Sequence, residues 1–224
     1  MTDKGDIVLA LDITDQSQDN RVPLRNEPVQ ARSTARLTAL LDAAAAVVDE
    51  IGFERLTTAM VADRAGASIG TVYRYFPDRI VLLQALAARN LERVLVRVGD
   101  EIRSPDHPDW LTALSSGFAI FVEAFRTEPG FRALRVGDVI DLRPAPNERT
   151  YNSVVADHLL DALIARFGMP DSPELRFRFE TAIEVSDALA ARAFARDPDG
   201  DEAFLVAGRD VVYLMLAEHF GPIT

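Results

Sequence analysis

The 224-residue chain contains no cysteine, and this absence excludes several kinds of site at once. Disulfide bonds, zinc–thiolate sites and cysteine nucleophiles all require a thiol, so none of them operates in this protein. The absence of disulfides is compatible with a reducing cytoplasm, which is the predicted location. Because only three histidines are present, little is available for metal or nucleophilic chemistry, and no metal site or cofactor is expected.

Long apolar runs and enzyme motifs are missing as well. No stretch approaches the ~20 consecutive apolar residues that a membrane-spanning helix needs, so no membrane partner is expected. The first residues are rich in aspartate and do not resemble a secretory signal. The GxSxG, HExxH, Walker and dinucleotide-binding patterns are all absent. The sequence therefore predicts no catalytic residues and a protein that is not an enzyme.

The net charge of −11 argues at first against a nucleic-acid partner, because phosphate binding favours a basic surface. The acidic residues, however, are concentrated before residue 32 and in the C-terminal part. Residues 32–79 contain six arginines and six acidic residues, which gives this segment a net charge of zero. The overall charge therefore does not exclude DNA binding by residues 32–79.

Apolar residues recur every three or four positions along most of the chain, which predicts an all-α protein. Residues 1–31, which include Pro23 and Pro28, are predicted to form a flexible leader. Four arginines lie in this leader or just after it: Arg21, Arg25, Arg32 and Arg36. They either are solvated or form an arm along DNA. The first helix is predicted to begin near Ser33 and to stop at Gly52.

Two short helices and a glycine-containing turn are predicted next, the pattern of a helix-turn-helix. Thr57 or Thr58 can cap the first of them, which ends at Ala65-Gly66. Ser68 caps the second, and Pro77 closes it. The spacing places one set of side chains inward (Val61, Ala65, Val72 and Phe76) and leaves another set outward (Thr71, Tyr73, Arg74 and Tyr75). A long helix follows from Asp78 to about Arg103.

This stretch resembles the N-terminal DNA-binding domain of the TetR family of repressors. The matching residues are Thr58, Val61-Ala62, Ala65-Gly66-Ala67-Ser68 and Gly70-Thr71-Val72-Tyr73-Arg74-Tyr75-Phe76. The resemblance covers roughly residues 33–80. It implies a three-helix DNA-binding domain over residues 32–80 and a larger helical ligand-binding and dimerisation domain over residues 81–224. The implied function is repression from a palindromic operator, with release by a small-molecule effector. The alternative is an activator or a protein-recruiting regulator without small-molecule induction.

The resemblance also implies roles for individual residues in a complex with double-stranded DNA. Base-facing positions are Ile69, Gly70, Thr71 and Tyr73, and phosphate-contacting positions are Thr58, Arg74, Tyr75 and Arg79. Ser68 caps the recognition helix, and the neighbouring amides can face phosphate. Ile69 is open, because its spacing favours burial whereas the family position is exposed. For Tyr73 and Tyr75 the alternative role is packing within the domain. Ala59 predicts little base contact from the preceding helix.

The C-terminal part is predicted to contain helical segments at about 108–127, 128–137, 147–168, 173–196 and 201–220. Their broad apolar faces predict a homodimer formed through residues about 173–220. On the helices that line the family's pocket, the candidate ligand-binding residues are Trp110, Phe118, Phe121, Phe125, Phe131, Tyr151 and His158. These residues predict a small, mostly apolar effector. Ordinary core packing is the alternative for each of them, and it is the default for His158.

Overall fold

The computed structural model describes the backbone of residues 27–137 and 150–220 and the side chains of residues 32–137 and 150–220. Within these ranges the protein is all-α, as predicted, with nine α-helices and no strand. The helices are α1 Glu27–Ile51, α2 Thr58–Arg64, α3 Ile69–Tyr75, α4 Arg79–Arg103, α5 Trp110–Thr127, α6 Phe131–Val136, α7 Tyr151–Phe167, α8 Pro173–Phe194 and α9 Glu202–Phe220. The predictions for Arg21, Arg25 and the rest of residues 1–26, for the loop with Pro144 and Pro146, and for residues 221–224 lie outside the described residues.

Helix α1 begins at Glu27, so the start predicted near Ser33 is wrong. Pro28, interpreted from the sequence as part of a flexible leader, lies in the first helical turn. Amides there have no intrahelical acceptor, so proline's missing N–H costs nothing and its fixed φ suits the helix. The apolar periodicity from Leu37 onward therefore marks where α1 starts to pack, whereas Arg32 and Arg36 lie on an exposed turn before it.

Side-chain caps define the helix-turn-helix and confirm its predicted boundaries. Thr57, and not Thr58, caps α2, because its Oγ1 accepts a hydrogen bond from the Met60 amide at 3.2 Å. Ser68 Oγ accepts from the Thr71 amide at 3.1 Å, and Asp78 Oδ1 accepts from the Val81 amide at 2.9 Å. Each cap satisfies an amide that the first turn leaves without a partner. The predicted stop after α1 also holds, since Gly52 has a φ of 82°.

Two hydrophobic cores form, and α4 contributes to both. The N-terminal core contains buried residues of α1, α2 and α3 together with Leu82–Ala87 of α4. The C-terminal core contains Leu91–Ile102 of α4 together with residues of α5 through α9. Because α4 passes from one core to the other without a break, the predicted domain boundary between residues 80 and 81 stays a prediction.

The short helix α6 is a second element shared by the two cores. Phe131, at its start, is buried in the C-terminal core, whereas Leu134, one turn later, is buried in the N-terminal core. The turn before α6 is held by Asn90 of α4, whose buried Nδ2 donates to the Pro129 carbonyl at 3.2 Å. The end of α6 lies against Phe53, in the turn after α1. Helix α6 therefore joins the helix-turn-helix to the C-terminal helices.

The C-terminal helices follow the predicted segments with shorter bounds. Ser172 caps α8, as predicted, by accepting from the Leu175 amide at 3.1 Å, with Pro173 at the first helical position. Helices α8 and α9 pack along each other, and Ser186 Oγ of α8 donates to the Gly208 carbonyl of α9 at 2.9 Å. Across the described ranges, none of the helices combines the length and apolar character that crossing a lipid bilayer requires.

Gly137, at the end of α6, tests the contact between α6 and the N-terminal core. A Cβ at this position would lie 2.6 Å from Phe53 Cε1 and 2.7 Å from Phe53 Cζ. We expect Gly137→Ala to lower the free energy of unfolding by about 1–3 kcal/mol, because the ring must shift. In combination with Phe53→Leu, which removes the ring, the loss should be less than the sum of the single losses. Denaturant unfolding measures both, and strictly additive losses would contradict the contact.

Candidate nucleic-acid interface and internal cavity

Helix α3 buries one face and exposes the other. Val72 and Phe76 belong to the N-terminal core, as the spacing predicts. Ile69 is 43% exposed and Tyr73 is 52% exposed, so neither side chain packs into the core. The other exposed residues of the candidate set are Ser68, Gly70, Arg74 and Arg79, and the half-buried ones are Thr58, Thr71 and Tyr75. The sequence left Ile69 open between burial and exposure, and the structure shows it exposed.

Two contacts between hydroxyl groups involve α3, and one of them reaches the start of α2. Thr58 Oγ1 donates to the Tyr73 phenol at 3.3 Å, which connects α2 to α3. Ser68 Oγ and Thr71 Oγ1 lie 2.9 Å apart at the start of α3. The structure therefore pairs Thr58 with Tyr73 and Ser68 with Thr71, which gives α3 a surface with several hydroxyl groups. Such a surface can donate and accept hydrogen bonds, as contacts with base edges and phosphates require.

Tyr75 connects α3 to α1. Its phenol oxygen lies 3.2 Å from Ser33 Oγ, and the Arg74 guanidinium lies 5.1 Å from its ring centroid. The pKa of Tyr75 is lowered, first by the hydrogen bond with Ser33 and further by Arg74 and the charge of Arg36. Tyr75 thus contacts α1 through Ser33, packs against the N-terminal core to which α4 contributes, and lies beside two exposed arginines.

Arg79 has a structural contact that the sequence did not predict. Its Nη1 donates to the Glu54 carbonyl at 2.7 Å and to the Phe53 carbonyl at 3.3 Å, so it holds the turn between α1 and α2. A guanidinium has five N–H donors, and the predicted phosphate contact would use those that remain. No sequence pattern signals this role, because it depends on how α4 lies against the turn.

An internal cavity, partly open to solvent, lies in the C-terminal core and is lined by residues of α4 through α9. The space that the centre of a water molecule can occupy is about 90 Å³. Most of its wall is apolar, with side chains that include Leu95, Val98, Leu114, Phe118, Phe121 and Leu159. Of the seven predicted ligand-binding residues, Phe118 and Phe121 line this cavity and the other five do not. Large apolar cavities are uncommon in close-packed interiors, so this one is a candidate ligand site.

Three of the other predicted residues pack in aromatic clusters around the core. Phe125 is stacked on Phe194 at 4.5 Å and lies edge-to-face with Phe131 at 5.1 Å. Trp110 stacks on Tyr213 at 6.2 Å and also contacts Phe220, at 4.8 Å between ring centroids. Their positions match the alternative of ordinary core packing.

The remaining two are polar residues of α7. Burial lowers the pKa of His158, and the charge of Arg103 lowers it further, so the neutral imidazole is favoured. Tyr151 is buried, and its hydroxyl has no hydrogen-bond partner among the described residues. Burial, reinforced by Glu92 and opposed by Arg135, raises the pKa of Tyr151 to about 12, so this phenol stays protonated at neutral pH.

The cavity also has a polar corner that the sequence did not reveal. Arg135 of α6 forms an ion pair with Asp187 of α8, and both residues line the cavity. Asn152 of α7 donates to Asp187 Oδ2 at 3.3 Å and to Glu184 Oε2 at 2.9 Å. Charged residues on amphipathic helices are usually solvated, so no local pattern distinguishes this pair from surface charges.

A second depression, of about 300 Å³, lies between α1, α4 and the turn before α6. Its lining is more polar than that of the cavity in the C-terminal core and is open to solvent, and some of its charges pair, as Arg89 does with Asp42 at 2.7 Å. It therefore lacks the apolar wall of a typical small-molecule site. In the two described ranges, no cluster of acidic and histidine side chains is placed to hold a metal ion.

Comparison with known proteins gives matches over most of the chain. Residues 40–86 match the family model described as bacterial regulatory proteins, tetR family, and residues 108–220 match the tetracyclin repressor-like C-terminal domain. The crystal structure of a TetR-family transcriptional regulator from Streptomyces coelicolor is 33% identical, with a TM-score of 0.68. That match covers 82% of this chain and 99% of the other.

Two further proteins are similar in more limited ways. The transcriptional repressor KstR of Rhodococcus jostii is 42% identical over 55 residues, which is 25% of this chain and 26% of KstR. The aligned region therefore spans about a quarter of that relative. The repressor AlkX from Dietzia, implicated in biodegradation of n-alkanes, has a TM-score of 0.55 at 21% identity. The match covers 80% of this chain and 94% of AlkX, and it shows a common fold.

Gly70 gives a test of the exposed face of α3. A Cβ there would meet only Ser68 Oγ, at 3.9 Å, so Gly70→Ala should leave the fold intact. Alanine should even raise the free energy of unfolding, by up to about 1 kcal/mol, because glycine disfavours helix. If this position faces base edges, the added methyl should weaken binding to the preferred duplex at least tenfold. Fluorescence anisotropy measures this affinity, using a duplex that the wild-type protein selects from a random pool.

The matched control for Gly70→Ala is Ala59→Ser on α2, where little base contact is expected. Its affinity for the same duplex should stay within about twofold of wild type. Equal affinities of Gly70→Ala and wild type would show that α3 does not approach DNA with this face.

Proposed function

The chain belongs to the TetR family of bacterial regulatory proteins, and we propose that it is a DNA-binding transcriptional repressor that a small-molecule effector releases from its operator. In this proposal the protein is a regulator and not an enzyme, and it is located in the cytoplasm. The observation that carries the proposal is the exposed polar face of α3 on a helix-turn-helix. The KstR proteins, named as repressors, support repression over activation through their match to this region.

Helix α3 is proposed to enter the major groove of double-stranded DNA. Its exposed N-terminal part would place Gly70, Thr71 and Tyr73 against base edges. Ile69, exposed beside them, suits contact with a thymine methyl group. The residues proposed to contact the sugar-phosphate backbone are Thr58, Ser68, Arg74, Tyr75 and Arg79. The connections Thr58–Tyr73 and Ser33–Tyr75 support this model, because they hold the contacting side chains in place before DNA binds.

A homodimer is proposed to form through α8 and α9. These helices bury one side against the rest of the chain, as Phe179 and Leu216 illustrate, yet expose large apolar residues on the other. Phe177 and Leu214 are each 71% exposed, and Val185 and Tyr213 are also exposed. Exposed apolar surface of this kind favours association with a second copy, and a two-fold dimer would present two α3 helices to a palindromic operator.

Release by an effector is proposed to operate through α4 and α6. Leu91, Leu95 and Val98 of α4 line the cavity, and the preceding turns of the same helix lie in the N-terminal core. In α6, Arg135 lines the cavity, whereas its neighbour Leu134 is buried in the N-terminal core. A ligand that fits one arrangement of these helices better than another shifts the population toward it. The spacing of the two α3 helices, and hence DNA affinity, would change accordingly.

The experiment that tests this function is selection of binding sites from random duplex DNA, followed by footprinting. We expect a dyad-symmetric sequence with half-site centres one helical turn apart, about 34–36 Å, or a multiple of that distance. Placing the selected operator between a promoter and a reporter should lower expression when the protein is present. Binding without sequence preference, or higher expression from every operator position, would contradict a repressor.

Leu214 tests the proposed dimer and its connection to DNA binding. Leu214→Glu should leave the monomer folded, because the side chain is 71% exposed, and should shift the protein to monomer at micromolar concentration. The affinity for the full operator should fall at least tenfold, whereas that for a half-site should not change. The control is Val96→Glu on α4, where valine is 55% exposed, and it should stay dimeric. Analytical ultracentrifugation measures the mass, and a dimeric Leu214→Glu protein would show that the interface lies elsewhere.

A further inference from the structure

We propose that α3 selects its operator chiefly by the 5-methyl group of a pyrimidine base, which Ile69 contacts in the major groove, and not by hydrogen bonds to base heteroatoms. The inference rests on the proposed function, since it specifies which chemical group of the DNA the recognition helix reads. It starts from the side chains that α3 carries and from those that it lacks.

Side chains that discriminate bases by paired hydrogen bonds are nearly absent from α3. Arginine and lysine pair in this way with guanine, and asparagine and glutamine with adenine, whereas aspartate and glutamate accept from cytosine. The sequence of α3 is IGTVYRY, which contains one member of this set, Arg74. Arg74 is the sixth of the seven residues, whereas base edges are read by the N-terminal part of a recognition helix. Its guanidinium lies over the ring of Tyr75, 5.1 Å from the centroid.

The hydroxyl groups of α3 supply single hydrogen bonds, which discriminate poorly between bases. A hydroxyl group both donates and accepts, so it suits more than one base as well as phosphate. These groups are also partly occupied within the protein. Thr71 Oγ1 lies 2.9 Å from Ser68 Oγ, and the Tyr73 phenol accepts from Thr58 Oγ1 at 3.3 Å. The hydroxyl groups therefore suit affinity for DNA better than selection of a sequence.

Ile69 is the apolar side chain at the end of α3 where bases are read. It is the first residue of the helix and is 43% exposed. Tyr73, 52% exposed, follows one turn later on the same side of the helix. A Cβ on Gly70 would meet only Ser68 Oγ, at 3.9 Å, so a base edge has room to approach beside Ile69. In the major groove, the group that an apolar side chain recognises is the 5-methyl group of thymine.

Recognition of a methyl group has a consequence that recognition of heteroatoms does not have. Cytosine methylated at carbon 5 presents the same group in the same groove, although its base pair offers different donors and acceptors. We therefore expect 5-methylcytosine to replace thymine at the position that Ile69 contacts, and unmodified cytosine not to. Binding of the protein then depends on cytosine methylation at that position.

The test uses the operator that the wild-type protein selects from random duplex DNA. Each thymine of a half-site is first replaced in turn by uracil, which removes only the methyl group, and affinity is measured by fluorescence anisotropy. At the position with the largest loss, four duplexes are then compared, with the pairs A·T, A·U, G·5-methylcytosine and G·C. We expect the affinities to group by the methyl group and not by the base pair. Loss of one buried methyl group should weaken binding about fourfold, and loss of one in each half-site about 16-fold.

Variants assign the methyl dependence to Ile69. Ile69→Ala should leave the fold intact, because the side chain is exposed, and should bind the thymine and uracil duplexes equally. Ile69→Val keeps a branched apolar side chain and should retain most of the difference. The matched control is Met60→Ala on α2, where methionine is also 43% exposed, and it should keep the full wild-type difference. Thermal unfolding shows whether each variant is folded.

The outcomes separate this inference from the proposed function. If an operator is selected but no change of thymine to uracil weakens binding, or if the A·U duplex binds as tightly as A·T and both methyl-independent G·C duplexes bind weakly, the methyl readout is wrong and the repressor stands. If Met60→Ala abolishes the difference and Ile69→Ala keeps it, the assignment to Ile69 is wrong. If the operator instead requires a guanine and Arg74→Gln removes that requirement, α3 reads heteroatoms and the inference is wrong. If no sequence is preferred, both the inference and the proposed function are wrong.

Discussion

The continuity of α4 through both hydrophobic cores is the constraint on which the rest of the structure depends. Leu82, Leu83 and Leu86 are fully buried in the N-terminal core, and Val94 and Ile102 are fully buried in the C-terminal core. Each such side chain stabilises its core by about 1.5–3 kcal/mol, so neither end of α4 can leave its core cheaply. Because one uninterrupted helix joins the two cores, its cavity-lining turns and the turns packed in the N-terminal core belong to one element. The proposed release by an effector relies on this continuity.

Helix α6 adds a second connection of a different chemical kind. On the cavity side, α6 is held by the polar contact of Arg135 with Asp187. On the opposite side, Leu134 packs in the apolar N-terminal core. A buried ion pair contributes little net stability, because desolvation offsets the attraction, but it tolerates only a narrow geometry. The Arg135–Asp187 pair therefore sets the position of α6 more than it stabilises the fold.

The parts of the structure that local chemistry determines could be predicted from the sequence. Ser68, Asp78 and Ser172 cap helices within three residues of themselves, and the period of the apolar residues shows which face of α3 is buried. The start of α1 was missed because the apolar periodicity of this segment begins only at Leu37. The Arg79 contact with the α1–α2 turn, the cavity and its polar corner depend on contacts between distant segments. Aromatic residues indicated the region of the cavity, yet of the seven predicted residues only Phe118 and Phe121 line it. Phe125, Phe131 and Trp110 pack against other aromatic rings of the core, which no local pattern predicts.

The negative net charge also bears on how such a protein binds DNA. Charges more than about 8 Å apart are largely screened at physiological ionic strength, so the acidic C-terminal helices contribute little at the surface of α3. Among the acidic residues of the segment 32–79, Glu50 is paired with Arg64 at 2.6 Å and Asp42 with Arg89 at 2.7 Å, which limits the repulsion of phosphate. The exposed cations on or near α3 are few, chiefly Arg32, Arg36, Arg74 and Arg79. Because each neutralised phosphate adds to the salt dependence of binding, affinity has to come largely from hydrogen bonds made by hydroxyl and amide groups. Those bonds depend on geometry, and geometry is what movement of α4 and α6 can change.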